Sequence, residues 1–160
     1  MPELFSASEL INIAIREELT GASYYRAVAR KAKSAQLRKF ALEVADMEDA
    51  HAELFRKLLA KVGDYRPTGE QYPGEYQEYI AYLVEGRIFP LGEEAEKLAA
   101  RQNSDQEAVE TAAEIEKNTL LLYQELLQFV PETQRSVLHE IMQEERVHLM
   151  QFSKFKAGSR

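Results

Sequence analysis

The chain has 160 residues, with 27 acidic and 20 basic side chains, a net charge of -7 and no cysteine. This length suits one domain over residues 1–160, and the lack of cysteine excludes disulfides, zinc ribbons, iron–sulfur ligation and cysteine nucleophiles. The acidic balance with scattered basic residues argues against a nucleic-acid partner, and no apolar stretch approaches the ~20 residues of a membrane span, so we expect a cytoplasmic protein with no membrane partner.

The first half of the chain predicts a pair of long helices. Ser6 and Glu9 form a capping box for a helix over 7–32. Ser34 caps a second helix over about 35–62 that stops near Gly63. The short connection makes the two helices antiparallel neighbours.

A long crossover follows, in which Gly and Pro are concentrated between residues 63 and 92. It contains two segments of helical composition on either side of Pro90, one beginning at Tyr76 and one at Glu93. We therefore expect one or two short helices in this crossover.

The second half predicts another pair of long helices. Ser104 and Glu107 form a capping box for a helix over about 105–129. Pro131 suits the first turn of a last helix over about 131–156. Two antiparallel pairs joined by a long crossover indicate an all-α four-helix bundle.

An apolar seam runs along each long helix when positions are taken alternately four and three residues apart. In the second helix the seam is interrupted by Glu48 and His51, and in the fourth by Glu145 and His148. Residues three apart on one helix face reach a common point. The remaining seam positions are apolar: Leu37, Ala41, Val44, Phe55 and Leu58 in the second helix, and Leu138, Ile141, Phe152 and Phe155 in the fourth.

The first and third helices each add one carboxylate and one phenol to their seams. Glu18 is followed seven residues later by Tyr25, and Glu116 by Tyr123. The two tyrosines either donate hydrogen bonds to the polar cluster or are ordinary core aromatics. Each half of the chain thus reads Glu, Tyr, then Glu-x-x-His, with similar spacings.

Four carboxylates and two imidazoles inside a bundle are too costly to bury without neutralisation, and two divalent metals would neutralise them. Oxygen ligands with two nitrogens and no sulfur favour iron or manganese, although zinc is not excluded. The predicted roles are bridging ligands at Glu48 and Glu145, terminal ligands at Glu18 and Glu116, and one nitrogen donor per metal at His51 and His148.

Several other positions are alternative ligands or contact sites. Glu17 belongs to an alternative stripe of the first helix and competes with Glu18. His139 lies off the metal-facing seam, so a surface position is expected. We expect the acidic cluster Glu93, Glu94 and Glu96 to lie in solvent at the start of a helix, where the helix dipole favours negative charge. The alternative is a supplementary iron-uptake site. The tyrosine-rich stretch 72–82 is expected in crossover packing or a dimer contact.

This pattern resembles the rubrerythrin-like branch of the ferritin-like superfamily. The resemblance rests on Glu18 with Tyr25, Glu48-Asp-Ala-His51, Glu116-Lys-Asn with Tyr123, and Glu145-Arg-Val-His148. It implies a ferritin-like bundle with a di-iron site, no haem, and reduction of hydrogen peroxide or reaction with oxygen. A homodimer is expected.

Three features depart from the family pattern. The sequence has no rubredoxin-like tail with four cysteines, so we expect an external electron donor such as a rubredoxin-like protein. Thr119 stands where rubrerythrins typically carry a further glutamate ligand, which puts peroxidase activity in question. The crossover is also longer than usual.

Two alternative functions share the same ligands. One is ferroxidase or iron-handling activity. The irregular crossover argues against it, and so does Asp49, which stands in place of a haem-binding methionine. The other is a di-iron monooxygenase acting on an organic substrate, for which the apolar segment 76–91 is the candidate channel.

Overall fold

The computed structural model describes residues 7–63, 78, 93–128 and 130–158. Its first two helices are α1 (Ala7–Lys31) and α2 (Ala35–Val62), which pack along each other as an antiparallel pair. Both ends of α2 follow from the sequence. The hydroxyl of Ser34 accepts from Leu37 N at 3.3 Å, and the helix ends at Gly63, whose φ of 59° favours glycine.

The second half contains a short helix and another long pair. These helices are α3 (Glu93–Arg101), α4 (Asp105–Leu126) and α5 (Arg135–Gly158). Ser104 caps α4 by accepting from Glu107 N at 3.1 Å. The Asp105 carboxylate accepts from Ser34 N at 2.8 Å and from Lys33 N at 3.0 Å. This contact joins the start of α4 to the turn between α1 and α2.

The interior of the bundle consists of two apolar clusters stacked along its axis. One contains Tyr25 of α1, Val44 of α2 and Phe152 of α5. The other contains Phe55 of α2 and Ile141 of α5. All four long helices pass from one cluster to the other at the level where their seams carry glutamate and histidine. The polar residues therefore form a layer between two hydrophobic cores.

The four long helices are confirmed, with differences at their ends: α4 stops at Leu126, before the expected 129, and α5 runs to Gly158 instead of 156. The last α-helix begins at Arg135, after a 3₁₀ turn at Glu132–Gln134, and Pro131 precedes that turn instead of lying in the helix. A short 3₁₀ turn before a helix is common, because its hydrogen bonds satisfy backbone groups at the helix start. The capping box at Ser6 and the expected helix beginning at Tyr76 lie outside the described residues.

No helix in the described part of the chain contains a stretch that is both apolar enough and long enough for a membrane crossing.

Candidate metal centre

The four long helices bring six buried polar residues together in the layer between the two cores. Each of the six is at most 4% exposed. Helices α1 and α4 supply one carboxylate each, and α2 and α5 supply a carboxylate and an imidazole each. The six residues are Glu18, Glu48, His51, Glu116, Glu145 and His148.

These six residues form two overlapping groups, each with ligand atoms within 4.8 Å of one another. Glu48 and Glu145 belong to both groups. The remaining members are Glu18 and His51 in the first group and Glu116 and His148 in the second. Two adjacent cation positions that share two carboxylates are the arrangement expected of a two-metal carboxylate site.

Both imidazoles turn their Nδ1 atom toward the shared carboxylate of Glu145. His51 Nδ1 lies 3.0 Å from Glu145 Oε1, and His148 Nδ1 lies 3.3 Å from Glu145 Oε2. The two rings lie 5.8 Å apart between centroids and are inclined by 23°. Glu145 thus presents one oxygen to each half of the site, as a bridging ligand does.

Several ligand atoms are buried without an aligned hydrogen bond to any described residue. They include both carboxylate oxygens of Glu18, both of Glu145, and Nδ1 of His51 and of His148. A buried polar atom without a partner is costly, and clusters of them on converging side chains are rare in a folded protein. Divalent cations would supply the missing partner, so the residues present fit a pair of metal ions.

The electrostatics of the site without metal also favour cation binding. Burial, reinforced by the neighbouring carboxylates, raises the pKa of Glu18, Glu48 and Glu116 well above the usual value. Burial also acts to raise the pKa of Glu145, but the adjacent His148 and His51 outweigh it and hold that pKa low. The metal-free site therefore holds protons more tightly than free carboxylates do, and metal binding, which competes with those protons, would release them.

Comparisons with known proteins agree with this geometry. The family model for rubrerythrin matches residues 9–156. The chain belongs to the rubrerythrin family. A structure described as a ferritin-like diiron-carboxylate protein from Thermotoga maritima matches with a TM-score of 0.74 and 23% identity, over 100% of both chains. This likeness confirms the ferritin-like fold. No curated protein sequence matches the chain significantly.

The positions of the two neighbouring glutamates of α1 favour Glu18 over Glu17 as the candidate ligand. Glu18 lies in the first ligand group, whereas Glu17 is equally buried but lies in neither group formed by the described residues. The alternative stripe containing Glu17 is also buried, at Leu10 and Tyr24, so α1 is covered on two faces. His139 and the acidic cluster at the start of α3 are exposed, as expected.

The two tyrosines differ from each other in this rubrerythrin-family site. The hydroxyl of Tyr25 donates to a carboxylate oxygen of Glu116, joining α1 to α4. The hydroxyl of Tyr123 is buried and has no hydrogen-bond partner in the described part of the chain, while its ring packs against Phe55 at 5.0 Å. A hydrogen bond from a phenol to a candidate ligand is therefore seen for Tyr25 and remains a prediction for Tyr123.

One neighbour of the site, Met47, is not predicted from the sequence, and a second, Thr119, is. Met47 Sδ lies 3.5 Å from Nε2 of His148, the ring nitrogen that faces away from the carboxylates. Met47 lies off the apolar seam, so only the packing of α5 against α2 reveals the contact. Thr119 was noted as a departure from the family pattern, and its buried hydroxyl has no partner among the residues described.

Proposed function

We propose that this protein is a di-iron oxidoreductase that reduces hydrogen peroxide to water with electrons from an external donor. The observation that carries the proposal is the pair of overlapping ligand groups that share Glu48 and Glu145. Membership of the rubrerythrin family supports iron as the metal, and the oxygen-rich ligand set agrees with iron. An iron pair would supply the two electrons that convert one peroxide and two protons into two waters.

The side chains of this protein would bind the two metal ions, orient the ligands and limit the access of water to the site. Glu48 and Glu145 tie the two cation positions together, while His51 and His148 give each position one neutral nitrogen donor. Tyr25 fixes the orientation of Glu116 through its hydroxyl. The two apolar clusters on either side limit the access of water, which strengthens electrostatic interactions inside the site.

Oxidation of ferrous ion by oxygen is the second candidate, and Thr119 is the observation that favours it. The position three residues after Glu116 lies on the same face of α4, and here it carries a hydroxyl instead of a carboxylate. Rubrerythrins typically carry a further glutamate ligand at this position, so Thr119 removes one feature of a peroxide-reducing site while leaving all six candidate ligands that oxidation of ferrous ion would use.

Stopped-flow oxidation of the anaerobically loaded diferrous protein distinguishes the two functions. The proposal predicts faster oxidation by peroxide than by oxygen, and repeated turnover of peroxide when a reduced donor is supplied. Oxidation by oxygen that is as fast as oxidation by peroxide, without turnover, would contradict the peroxidase assignment and favour ferroxidase activity.

A further inference from the structure

The edge of the His148 ring that faces away from the carboxylates contacts a thioether. Nε2 of His148 lies 3.5 Å from Sδ of Met47, while Nδ1 lies 3.3 Å from Oε2 of Glu145. A thioether has no hydrogen to donate and is a weak acceptor, so this contact is a hydrogen bond only when Nε2 carries the proton. The lone pair of Nδ1 then points toward the carboxylates, where a cation would bind.

In the described part of the chain, Met47 is the residue at hydrogen-bonding distance from this nitrogen. His148 is 0% exposed, so bulk water does not reach the ring. Met47 itself is half-buried and packs against the apolar cluster that contains Val44 and Phe152, which holds the thioether against the ring. The thioether is therefore the group that fixes the orientation of His148 and the position of its proton.

A sulfur acceptor at this place has a consequence for metal affinity. Metal-binding histidines usually donate their second ring hydrogen to a carboxylate, a backbone carbonyl or a water, and this oxygen acceptor makes the imidazole a stronger donor to the metal. Loss of such an acceptor typically lowers metal affinity by about 10–100-fold. A neutral thioether orients the ring of His148 but adds little to its strength as a ligand.

The other half of the site carries a different residue at the equivalent position. The residue before the shared glutamate is Met47 on α2 and Glu144 on α5. Because the two helices are antiparallel, the place that Met47 takes beside His148 corresponds to the place of Glu144 beside His51. Burial acts to lower the pKa of His51, but the carboxylates around it, Glu145 first and Glu144 among them, outweigh burial and raise that pKa. The charge of a carboxylate thus acts on His51 from the position where His148 has a neutral thioether.

We propose that Met47 is the positioning residue of His148, and that its weak acceptor makes the metal position of Glu116 and His148 the weaker of the two. The other position, with Glu18 and His51, fills first and holds its metal more firmly. Occupancy of the weaker position then sets the fraction of chains that carry a complete metal pair. The proposal rests on the two-metal site of the proposed function, but not on peroxide as the oxidant.

Anaerobic calorimetric titration of the metal-free protein with ferrous ion measures the two binding events separately. The parent protein should show two events whose dissociation constants differ by at least about ten-fold. Glu116→Ala should remove the weaker event and Glu18→Ala the tighter one, because each residue belongs to one ligand group only. These two variants assign each event to a metal position.

Substitutions of Met47 vary the acceptor while keeping the approximate size of the side chain. Met47→Leu offers no acceptor, and Met47→Gln offers a neutral amide oxygen. The dissociation constant of the weaker event should rise in Met47→Leu and fall in Met47→Gln, with about ten-fold or more between the two variants. Met150→Leu and Met150→Gln are the matched controls, at a methionine that is 53% exposed on α5, and should change neither event.

Two further measurements separate the hydrogen bond from simple packing. In the zinc-loaded protein with nitrogen-labelled histidine, the proton resonance of His148 Nε2 should move downfield in Met47→Gln and upfield in Met47→Leu. Glu144→Met places a thioether at the equivalent position of the other half. It should weaken the tighter event and narrow the gap between the two dissociation constants.

Four results would overturn the proposal. The first is a parent protein whose two events have equal dissociation constants, and the second is a weaker event of equal affinity in Met47→Leu and Met47→Gln. The third is an equal shift of both events in the Met47 variants, which would indicate a packing effect on α2. The fourth is a gap that Glu144→Met leaves unchanged. Because no peroxide is present, failure to reduce peroxide would contradict the proposed function alone and leave a positive binding result standing.

Discussion

Glu48 and Glu145 face each other from α2 and α5 and are the two residues common to both candidate metal-binding groups. The other four candidate ligands each belong to one group. The two metal positions should therefore respond differently to loss of a shared ligand and of an unshared one.

Replacement of Glu145 by Ala should remove both metals, since each position loses a carboxylate oxygen and both imidazoles lose their neighbour. Replacement of Glu18 by Ala should leave about one metal per chain, because only the first group contains Glu18. Elemental analysis after anaerobic loading and desalting checks both. Equal metal content in the two variants would contradict the assignment of Glu145 as a bridge.

The neighbouring glutamates of α1 give a matched pair of substitutions. Glu17→Gln and Glu18→Gln make the same chemical change at adjacent positions that are both at most 2% exposed. Only Glu18→Gln should lower metal stoichiometry, which isothermal titration with a divalent cation measures. Loss of metal in Glu17→Gln with retention in Glu18→Gln would reverse the assignment.

Tyr25→Phe removes the hydroxyl that donates to Glu116. Metal stoichiometry should stay the same, while affinity for the second metal falls by up to about 10–100-fold, the usual cost of losing support for a ligand. Tyr24→Phe is the control, because the Tyr24 hydroxyl donates to the backbone oxygen of Ala108 at 3.2 Å. A fall in affinity of equal size in both variants would indicate a general packing effect.

The stability of the metal-free protein should fall as pH rises from mildly acidic to mildly basic values. Glu18, Glu48 and Glu116 have raised pKa values in the folded state. Above pH 4.5, their ordinary pKa, the folded protein therefore binds more protons than the unfolded protein does, and it loses stability as the pH rises. Burial lowers the pKa of His51, but Glu145 beside it more than offsets this and gives a net rise, which acts in the same direction. Glu145, with a lowered pKa, opposes the trend only in acid.

Thermal unfolding between about pH 5 and pH 8 measures this effect. The metal-free protein should lose melting temperature across the range, and the metal-loaded protein should not, because bound cations replace the protons. A metal-free protein that gains stability over this range would contradict the raised pKa values.

Thr119→Glu would add a carboxylate three residues after Glu116 on the buried face of α4. If the number of carboxylates limits peroxide reduction, the ratio of the oxidation rate with peroxide to that with oxygen should be higher in the variant than in the parent protein. The comparison uses stopped-flow traces of both diferrous proteins. Thr119→Val, which removes the hydroxyl without adding charge, should not change the preference.

Much of this architecture follows from local signals in the sequence. Ser34 and Gly63 predict both ends of α2 through capping, and the Glu-x-x-His interruptions predict which seam positions carry ligands. The sequence favours Glu18 over Glu17 without excluding Glu17, because both stripes of α1 are apolar, and both stripes are buried. Only the rotation of α1 against the other helices separates them.

Other features depend on contacts between distant parts of the chain. Met47 meets His148 across two helices, and no local pattern marks a half-buried methionine as a neighbour of a ligand. The unequal roles of Tyr25 and Tyr123 are also hidden, because their sequence contexts match while their hydroxyl partners differ. The start of α5 differs from expectation because Pro131 is compatible with both a helix and the turn before it.

Metal stoichiometry of protein purified and loaded without oxygen tests the central claim most directly. We predict close to two irons per chain, falling to about one in Glu18→Ala and to none in Glu145→Ala. A protein that binds no metal after loading, or that keeps two irons when Glu145 is replaced, would contradict a site built on the shared carboxylates of α2 and α5.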